Sequence, residues 1–138
     1  MRLSPEESRT RFAASRVARL ATADAEGRPH LVPVTFATCG DAVAIAIDHK
    51  PKSTRALKRL RNIADNPHVA LLADDYGDDW ERLWWARADG EARVEHEGAA
   101  WSQARDRLVE RYPQYRENPP DGPMIIVEVQ RWSGWSFR

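Results

Sequence analysis

Cysteine, long apolar runs and net charge are all scarce in this chain of 138 residues. The single cysteine, Cys39, excludes an internal disulfide and is typical of a protein from a reducing compartment. No apolar run approaches the roughly 20 residues of a membrane-spanning helix, and Met1 leads straight into a charged segment that lacks a signal-peptide pattern. The formal net charge of +0 argues against a general binder of nucleic acid or membrane surfaces. We therefore expect a cytoplasmic protein with neither nucleic acid nor membrane as a partner.

The composition is that of a globular protein, with 42% hydrophobic and 30% charged residues. The length fits a single domain, residues 1–138, that is large enough to build a core without disulfides. Six tryptophans are many for a domain of this size. We expect some of them to line a ligand cleft or a subunit interface.

Apolar and alternating segments predict about six strands, at residues 17–22, 30–37, 42–48, 68–73, 83–94 and 124–129. Pro33 inside the second strand indicates an edge, a bulge or a contact between ligand and backbone. Residues 83–94 fit either one strand with a close approach at Gly90 or a hairpin that turns at Asp89-Gly90. Helices are predicted after the Ser4 cap, from Ser53, and over a stripe that ends at Pro113. The pattern favours a mainly β fold, a small barrel with flanking helices.

The most informative segment, residues 48–62, joins a buried strand to a helix with a basic outer face. Its cations and the serine that opens the helix are Lys50, Lys52, Ser53, Arg55, Lys58, Arg59 and Arg61. A helix start offers free backbone N–H groups and the positive end of the dipole, so cations added there favour an anion. A solvated helix face is the commoner explanation of such a pattern. The Lys-x-Lys-Ser lead-in nevertheless favours a site for a phosphate-bearing cofactor.

No metal site is predicted. The acidic residues 74–79 lack the ligand spacing of a calcium loop, and the four histidines are scattered over separate elements. Cys39 has no general base near it in sequence and is interpreted as inert.

Six short stretches carry a resemblance to a known family, together with the C-terminal Trp132–Trp135 segment: 19–22, 24–30, 32–34, 50–62, 66–71 and 84–90. In this order and spacing they resemble the pyridoxamine 5'-phosphate oxidase-like (PPOX) split β-barrel family. Within it, the chain is most similar to the actinobacterial branch of coenzyme F420-dependent oxidoreductases. The resemblance covers roughly residues 10–136, each motif being weak alone and specific in combination.

The resemblance implies a split β-barrel that forms a homodimer with cofactor sites at the subunit interface. It implies that the second strand lies against the flavin-like ring, through Val32, Pro33, Val34 and Thr35. It also implies that the loop and helix after the third strand hold the phosphate and tail, through Lys50, Lys52, Ser53, Arg55 and Arg59.

A flavin or deazaflavin carries hydride transfer in its own ring, so no catalytic side chain is required. The predicted function is an F420H2-dependent oxidoreductase that transfers a hydride between the deazaflavin and a small electron-poor organic substrate. F420 is favoured over FMN because several cations suit its longer anionic tail. The alternatives are an FMN-dependent oxidoreductase of the same fold and a non-catalytic protein that binds F420, FMN or haem.

Trp85, Arg87 and Trp135 are candidates for contact with substrate or with a second subunit. Trp84 and Trp85 alternate on a strand, so one is expected in the core and the other at a site or interface, although pure packing is an equal alternative. For Arg87 the commoner fate is a surface salt bridge.

Overall fold

A computed structural model describes residues 1–47 and 54–138, with the backbone alone for residues 54–57. In these ranges the helices are α1 (Pro5–Ala14), α2 (Thr54–Asp65), α3 (Ala99–Arg111) and α4 (Pro113–Glu117). The strands are β1 (Ala18–Ala23), β2 (Pro29–Val34), β3 (Ala37–Cys39), β4 (Ala42–Ala46), β5 (His68–Asp75), β6 (Trp84–Glu95) and β7 (Met124–Ser136). A short 3-10 helix, Trp80–Arg82, precedes β6. None of these helices is long and apolar enough to cross a membrane.

The strands form one antiparallel sheet in the order β2-β1-β5-β6-β7-β4-β3. The long strands β6 and β7 pair along their whole length, from Trp84 opposite Ser136 to Glu95 opposite Met124. Pro33 lies in β2, an edge strand, as a residue without a backbone N–H should. The mainly β fold class is confirmed, and β2 and β4 end where the site described below begins.

Three boundaries differ from the prediction. The strand expected at 30–37 is two strands, because the N–H of Phe36 is bound by the hydroxyl of Tyr112 at 3.2 Å instead of continuing the ladder. The last strand runs to Ser136 and not to residue 129, since its partner β6 extends equally far. Pro113 begins a fourth helix, where its missing N–H is harmless, and does not simply end the third.

Gly90 settles the alternatives left open for residues 83–94, which form one strand. The register shifts between Asp89 and Gly90, and a Cβ at Gly90 would lie 2.2 Å from the carbonyl oxygen of Glu128. The glycine therefore marks a bulge at which β6 and β7 approach closely.

The main core lies between the sheet and helices α1 and α2. Phe12 of α1 is fully buried against Phe36 and Trp132, with ring centroids at 4.8 Å and 5.3 Å. The predicted capping box sets the start of α1: Ser4 Oγ accepts from the N–H of Glu7, whose carboxylate accepts from the N–H of Ser4. A smaller cluster under α3 contains Ala104, Leu108, Met124 and Ile126.

Candidate functional site

The ends of β2 and β4 open onto a cavity of about 250 Å³, here named the Arg59 cavity. Its lining comes from four parts of the chain: Pro33, Val34 and Thr35 at the end of β2, Ile45, Ala46 and Ile47 at the end of β4, Arg59 of α2, and Tyr115 and Pro120 in and after α4. Three of the four residues predicted to face a flavin-like ring thus meet one of the cations predicted to hold its phosphate.

The docking of α2 positions Arg59. Ile63 is buried in the main core and Leu60 packs against it. The buried amide of Asn62 donates to the hydroxyl of Thr22 at 3.1 Å, which ties the helix to β1. Arg59 lies at the edge of this packed face and extends into the cavity.

Burial dominates the electrostatics of Arg59. Its Nε is shielded from solvent and has no hydrogen-bond partner in the part of the chain that the structure describes. Burial lowers the pKa of Arg59, since the charged guanidinium is disfavoured when it is removed from water. A phosphate oxygen at this position would supply the missing acceptor, so the residues present fit a phosphate-bearing group.

Two hydroxyl groups also line the cavity. Thr35 Oγ1 and the phenol oxygen of Tyr115 lie 3.4 Å apart, with either able to donate. The lining therefore combines a cation, a pair of hydroxyls and the apolar side chains of Val34, Ile45 and Ile47.

The other described cations of α2 face elsewhere. Lys58 and Arg61 line a separate cavity of about 450 Å³ beside the β1–β2 turn. That cavity also contains Asp24, Glu26, Arg28 and Asp65, so its charges of both signs are mixed. The cations predicted as one row thus point in two directions, as the periodicity of a helix requires.

Several residues predicted to bind the cofactor lie outside the described residues or away from the Arg59 cavity. Lys50, Lys52 and Ser53 lie outside the described residues, as does the side chain of Arg55. Val32 packs against the main core and is not part of the cavity lining, whereas Val34, two residues further along the same face of β2, is. The binding roles of all these residues stay predictions.

A second candidate surface is a groove of about 440 Å³ on the outer face of the sheet, here named the sheet groove. It is lined by Arg19, Ala21, Leu31, Ala70, Leu71, Leu72, Asp74, Tyr76, Trp85 and Arg87. Leu31 and Tyr76 are 68% and 64% exposed. The groove is thus an apolar surface with a few charges.

Trp84 and Trp85 lie on opposite faces of β6, as alternation along a strand requires. Trp84 packs against the core, whereas Trp85 lines the sheet groove and pairs across the ladder with Trp135. Arg87 forms an ion pair with Asp89 at 2.8 Å, which is the commoner fate expected for it.

The family model of pyridoxamine 5'-phosphate oxidase matches residues 4–136, nearly the whole chain. The chain belongs to the pyridoxamine 5'-phosphate oxidase family. The split β-barrel fold predicted from the sequence is thereby confirmed, in a variant with seven strands where about six were expected.

Three solved structures illustrate the likeness. A conserved hypothetical protein from Mycobacterium tuberculosis is 24% identical with a TM-score of 0.77, over 99% of this chain and 86% of the other. An FAD-binding protein from Mesorhizobium loti is 20% identical with a TM-score of 0.73, over 97% and 95%. HutZ, the haem storage protein from Vibrio cholerae, is 22% identical with a TM-score of 0.72, over 99% and 95%.

At these identities the likeness shows the fold and not the ligand. No curated protein is significantly similar to the chain.

Tyr115 and Pro120 are site residues that the sequence reasoning missed. Interpreting Pro113 as the end of α3 left the residues after it without a place in the fold. Proline at the first position of a new helix was the available signal, and it would have brought Tyr115 into consideration.

Proposed function

We propose that the chain is an oxidoreductase that binds a phosphate-bearing flavin-type cofactor in the Arg59 cavity, with coenzyme F420 as the cofactor. The observation that carries this proposal is the shielded Nε of Arg59, which has no hydrogen-bond partner among the described residues and shares a cavity with Pro33, Val34 and Thr35. A half-buried cation of this kind is stabilised by an anionic ligand.

The roles of the chain's own residues follow from this arrangement. Arg59 would bind the phosphate, and Pro33, Val34 and Thr35 would present a mostly apolar wall to the rest of the cofactor. When bound, the reduced cofactor supplies the hydride for a small electron-poor organic substrate. The protein would bind and orient both partners and keep water away from them.

The choice of F420 rests on the longer anionic tail that several cations would suit. Lys50, Lys52 and Arg55 remain the proposed partners of that tail. Lys58 and Arg61 contribute less to this argument than the sequence suggested, since acidic side chains share their cavity. FMN is therefore kept as the alternative cofactor.

A homodimer with cofactor sites at the interface is part of the proposal. The Arg59 cavity of about 250 Å³ is smaller than the roughly 300–1,000 Å³ of pockets for drug-sized ligands, so a second copy would complete it. The sheet groove offers a suitable interface, because the Arg19–Asp74 and Arg87–Asp89 pairs neutralise its charges within each copy. Two such surfaces can meet around a two-fold axis without like-charge repulsion.

A non-catalytic binding protein is the second candidate. Arg59 and Tyr115 are the ionisable side chains in the described lining of the cavity, which offers no acid–base pair. For haem in particular, Tyr115 is the one described lining residue of a type that ligates haem iron. Among the described residues, no group of three or more His, Cys, Asp or Glu is placed to hold a metal ion.

Two measurements separate these candidates. Purified protein is titrated with F420, FMN and haem by fluorescence or absorbance, and F420H2 oxidation is then followed with a panel of quinones and enones. Saturable F420 binding with turnover supports the proposal. Tight binding without turnover on any acceptor supports the non-catalytic binding protein. Binding of haem alone overturns both F420 and FMN as the cofactor.

A further inference from the structure

The polar wall of the Arg59 cavity is held in place by the corner between α3 and α4. The hydroxyl of Tyr112 accepts from the N–H of Phe36 at 3.2 Å and from Arg111 Nε at 3.2 Å. It donates its proton to the carbonyl of Arg16 at 2.8 Å or of Phe36 at 2.9 Å. This fixes Phe36, and with it the adjacent Thr35, against the helical corner.

Tyr115 is fixed by the same corner. Its ring packs edge-to-face on the ring of Tyr112, with centroids 5.8 Å apart, and its hydroxyl lies 3.4 Å from Thr35 Oγ1. At this length the hydrogen bond between the two hydroxyls is weak, so both retain capacity to donate and accept. A fixed pair of hydroxyls on a cavity wall is suited to a ligand that carries hydroxyls of its own.

The cavity has a cation on α2 and a hydroxyl pair on the wall formed by β2 and α4, with the apolar residues Ile45 and Ile47 also in its lining. A ligand that satisfies both polar features carries a phosphate and a chain of alcohol groups, as in a sugar-alcohol phosphate. Both FMN and F420 carry such a unit, a ribityl phosphate, on the ring; FMN ends there, and F420 continues beyond the phosphate.

We propose that Thr35 and Tyr115 bind the ribityl hydroxyls of the cofactor while Arg59 binds its phosphate. Tyr115 is then a specificity-determining residue for a phosphorylated polyol, and Tyr112 is the positioning residue that holds the wall. This inference rests on the proposed function and assigns a ligand contact to α4.

A ligand series that is shortened one part at a time tests the assignment. FMN, riboflavin and lumiflavin share the same ring. Riboflavin lacks the phosphate of FMN, and lumiflavin lacks the whole ribityl chain as well. F420 and its phosphate-free core, which keeps the ribityl chain, form a parallel pair. Each is titrated into the wild type, Tyr115→Phe and Thr35→Val. Tyr115→Phe keeps the ring that packs on Tyr112 and removes only the hydroxyl.

The matched control is Thr10→Val, because Thr10 is exposed on α1 and lines neither the Arg59 cavity nor the sheet groove. We expect Tyr115→Phe and Thr35→Val to weaken FMN and riboflavin to the same extent, about three- to tenfold, and to leave lumiflavin unchanged. Thr10→Val should bind all three like the wild type.

The outcomes are distinct. Unchanged riboflavin binding in both variants overturns the ribityl assignment and leaves the cofactor proposal standing. Equal weakening of lumiflavin also overturns it, because the hydroxyls would then act on the ring or on the shape of the cavity. A wild type that binds neither FMN nor F420 overturns the proposed function itself and the assignment with it.

Discussion

Replacing Arg59 by methionine should stabilise the cofactor-free protein and weaken cofactor binding at the same time. An unsatisfied buried donor costs about 1–3 kcal/mol. Because Arg59 is only half-buried and solvent screens part of its charge, we expect a gain in unfolding free energy of about 1 kcal/mol. Methionine keeps an unbranched apolar stem of similar reach, so packing along the cavity wall should persist.

The two effects are measured separately. Urea unfolding gives the free energy of the cofactor-free protein, and titration with FMN or F420 gives the affinity, which should fall ten- to hundredfold for the loss of a charged hydrogen bond. Arg61→Met is the matched control on the same helix. Arg61 is exposed and lines the cavity beside the β1–β2 turn. The unfolding free energy of Arg61→Met should therefore differ from that of the wild type by less than about 0.5 kcal/mol, and its cofactor affinity should be unchanged.

Either of two results would refute this reasoning. A loss of about 1 kcal/mol or more in the unfolding free energy of Arg59→Met would mean that the guanidinium stabilises the folded chain in the absence of a ligand. An unchanged affinity for both cofactors would remove Arg59 from the site.

Three further perturbations follow from the fold. Gly90→Ala should destabilise the protein by about 2–3 kcal/mol in urea unfolding, since its Cβ would meet the Glu128 carbonyl at 2.2 Å, whereas Gly77→Ala meets nothing within 4 Å and should be near neutral. Leu31→Glu should convert a dimer into a folded monomer by light scattering, because Leu31 is 68% exposed in the sheet groove. Hydrogen bonds from Arg28 lower the pKa of Asp24, so its stabilising contribution is present above about pH 3.9 and is lost as the pH falls through the lower folded value. The difference in melting temperature between wild type and Asp24→Asn should therefore shrink below pH 4.

Each of these has a contrary result. Equal stability of the two glycine variants would mean that β6 and β7 are not closely packed at the bulge. A wild type that is already monomeric, or a Leu31→Glu variant that stays dimeric, would place the interface elsewhere. A melting-temperature difference for Asp24→Asn that does not vary with pH would mean that the carboxylate charge is not used.

The sequence predicted the fold class well because local signals and burial agreed. The capping box at Ser4, the edge proline Pro33 and the basic helix after Ile47 all have direct physical meanings in a single sequence, and the structure bears them out. The break between β2 and β3 was missed because a tyrosine hydroxyl 76 residues away takes the N–H of Phe36. No local sequence pattern predicts a hydrogen bond between residues so far apart in the chain.

The residues of the candidate site were predicted in part. Pro33, Val34 and Thr35 were expected from the family resemblance, and Arg59 from the resemblance together with the basic helix face; the structure brings these four residues to one cavity. Tyr115 belongs to a short helix whose packing depends on the α3–α4 corner and the loop before β3. Its place in the cavity is a tertiary property, and spacing along the chain could not give it.

The most direct test of the central claim is the contribution of the phosphate to binding, measured with and without Arg59. FMN and riboflavin differ by the phosphate alone, whereas F420 and its phosphate-free core differ by the phosphate together with the tail that it carries. Affinities for each pair are compared in wild type and Arg59→Gln. We expect the wild type to prefer the phosphorylated member by at least about tenfold, and the preference to be largely lost in the variant. Equal affinities in the wild type, or a preference that Arg59→Gln leaves intact, would contradict a phosphate-binding role for the Arg59 cavity.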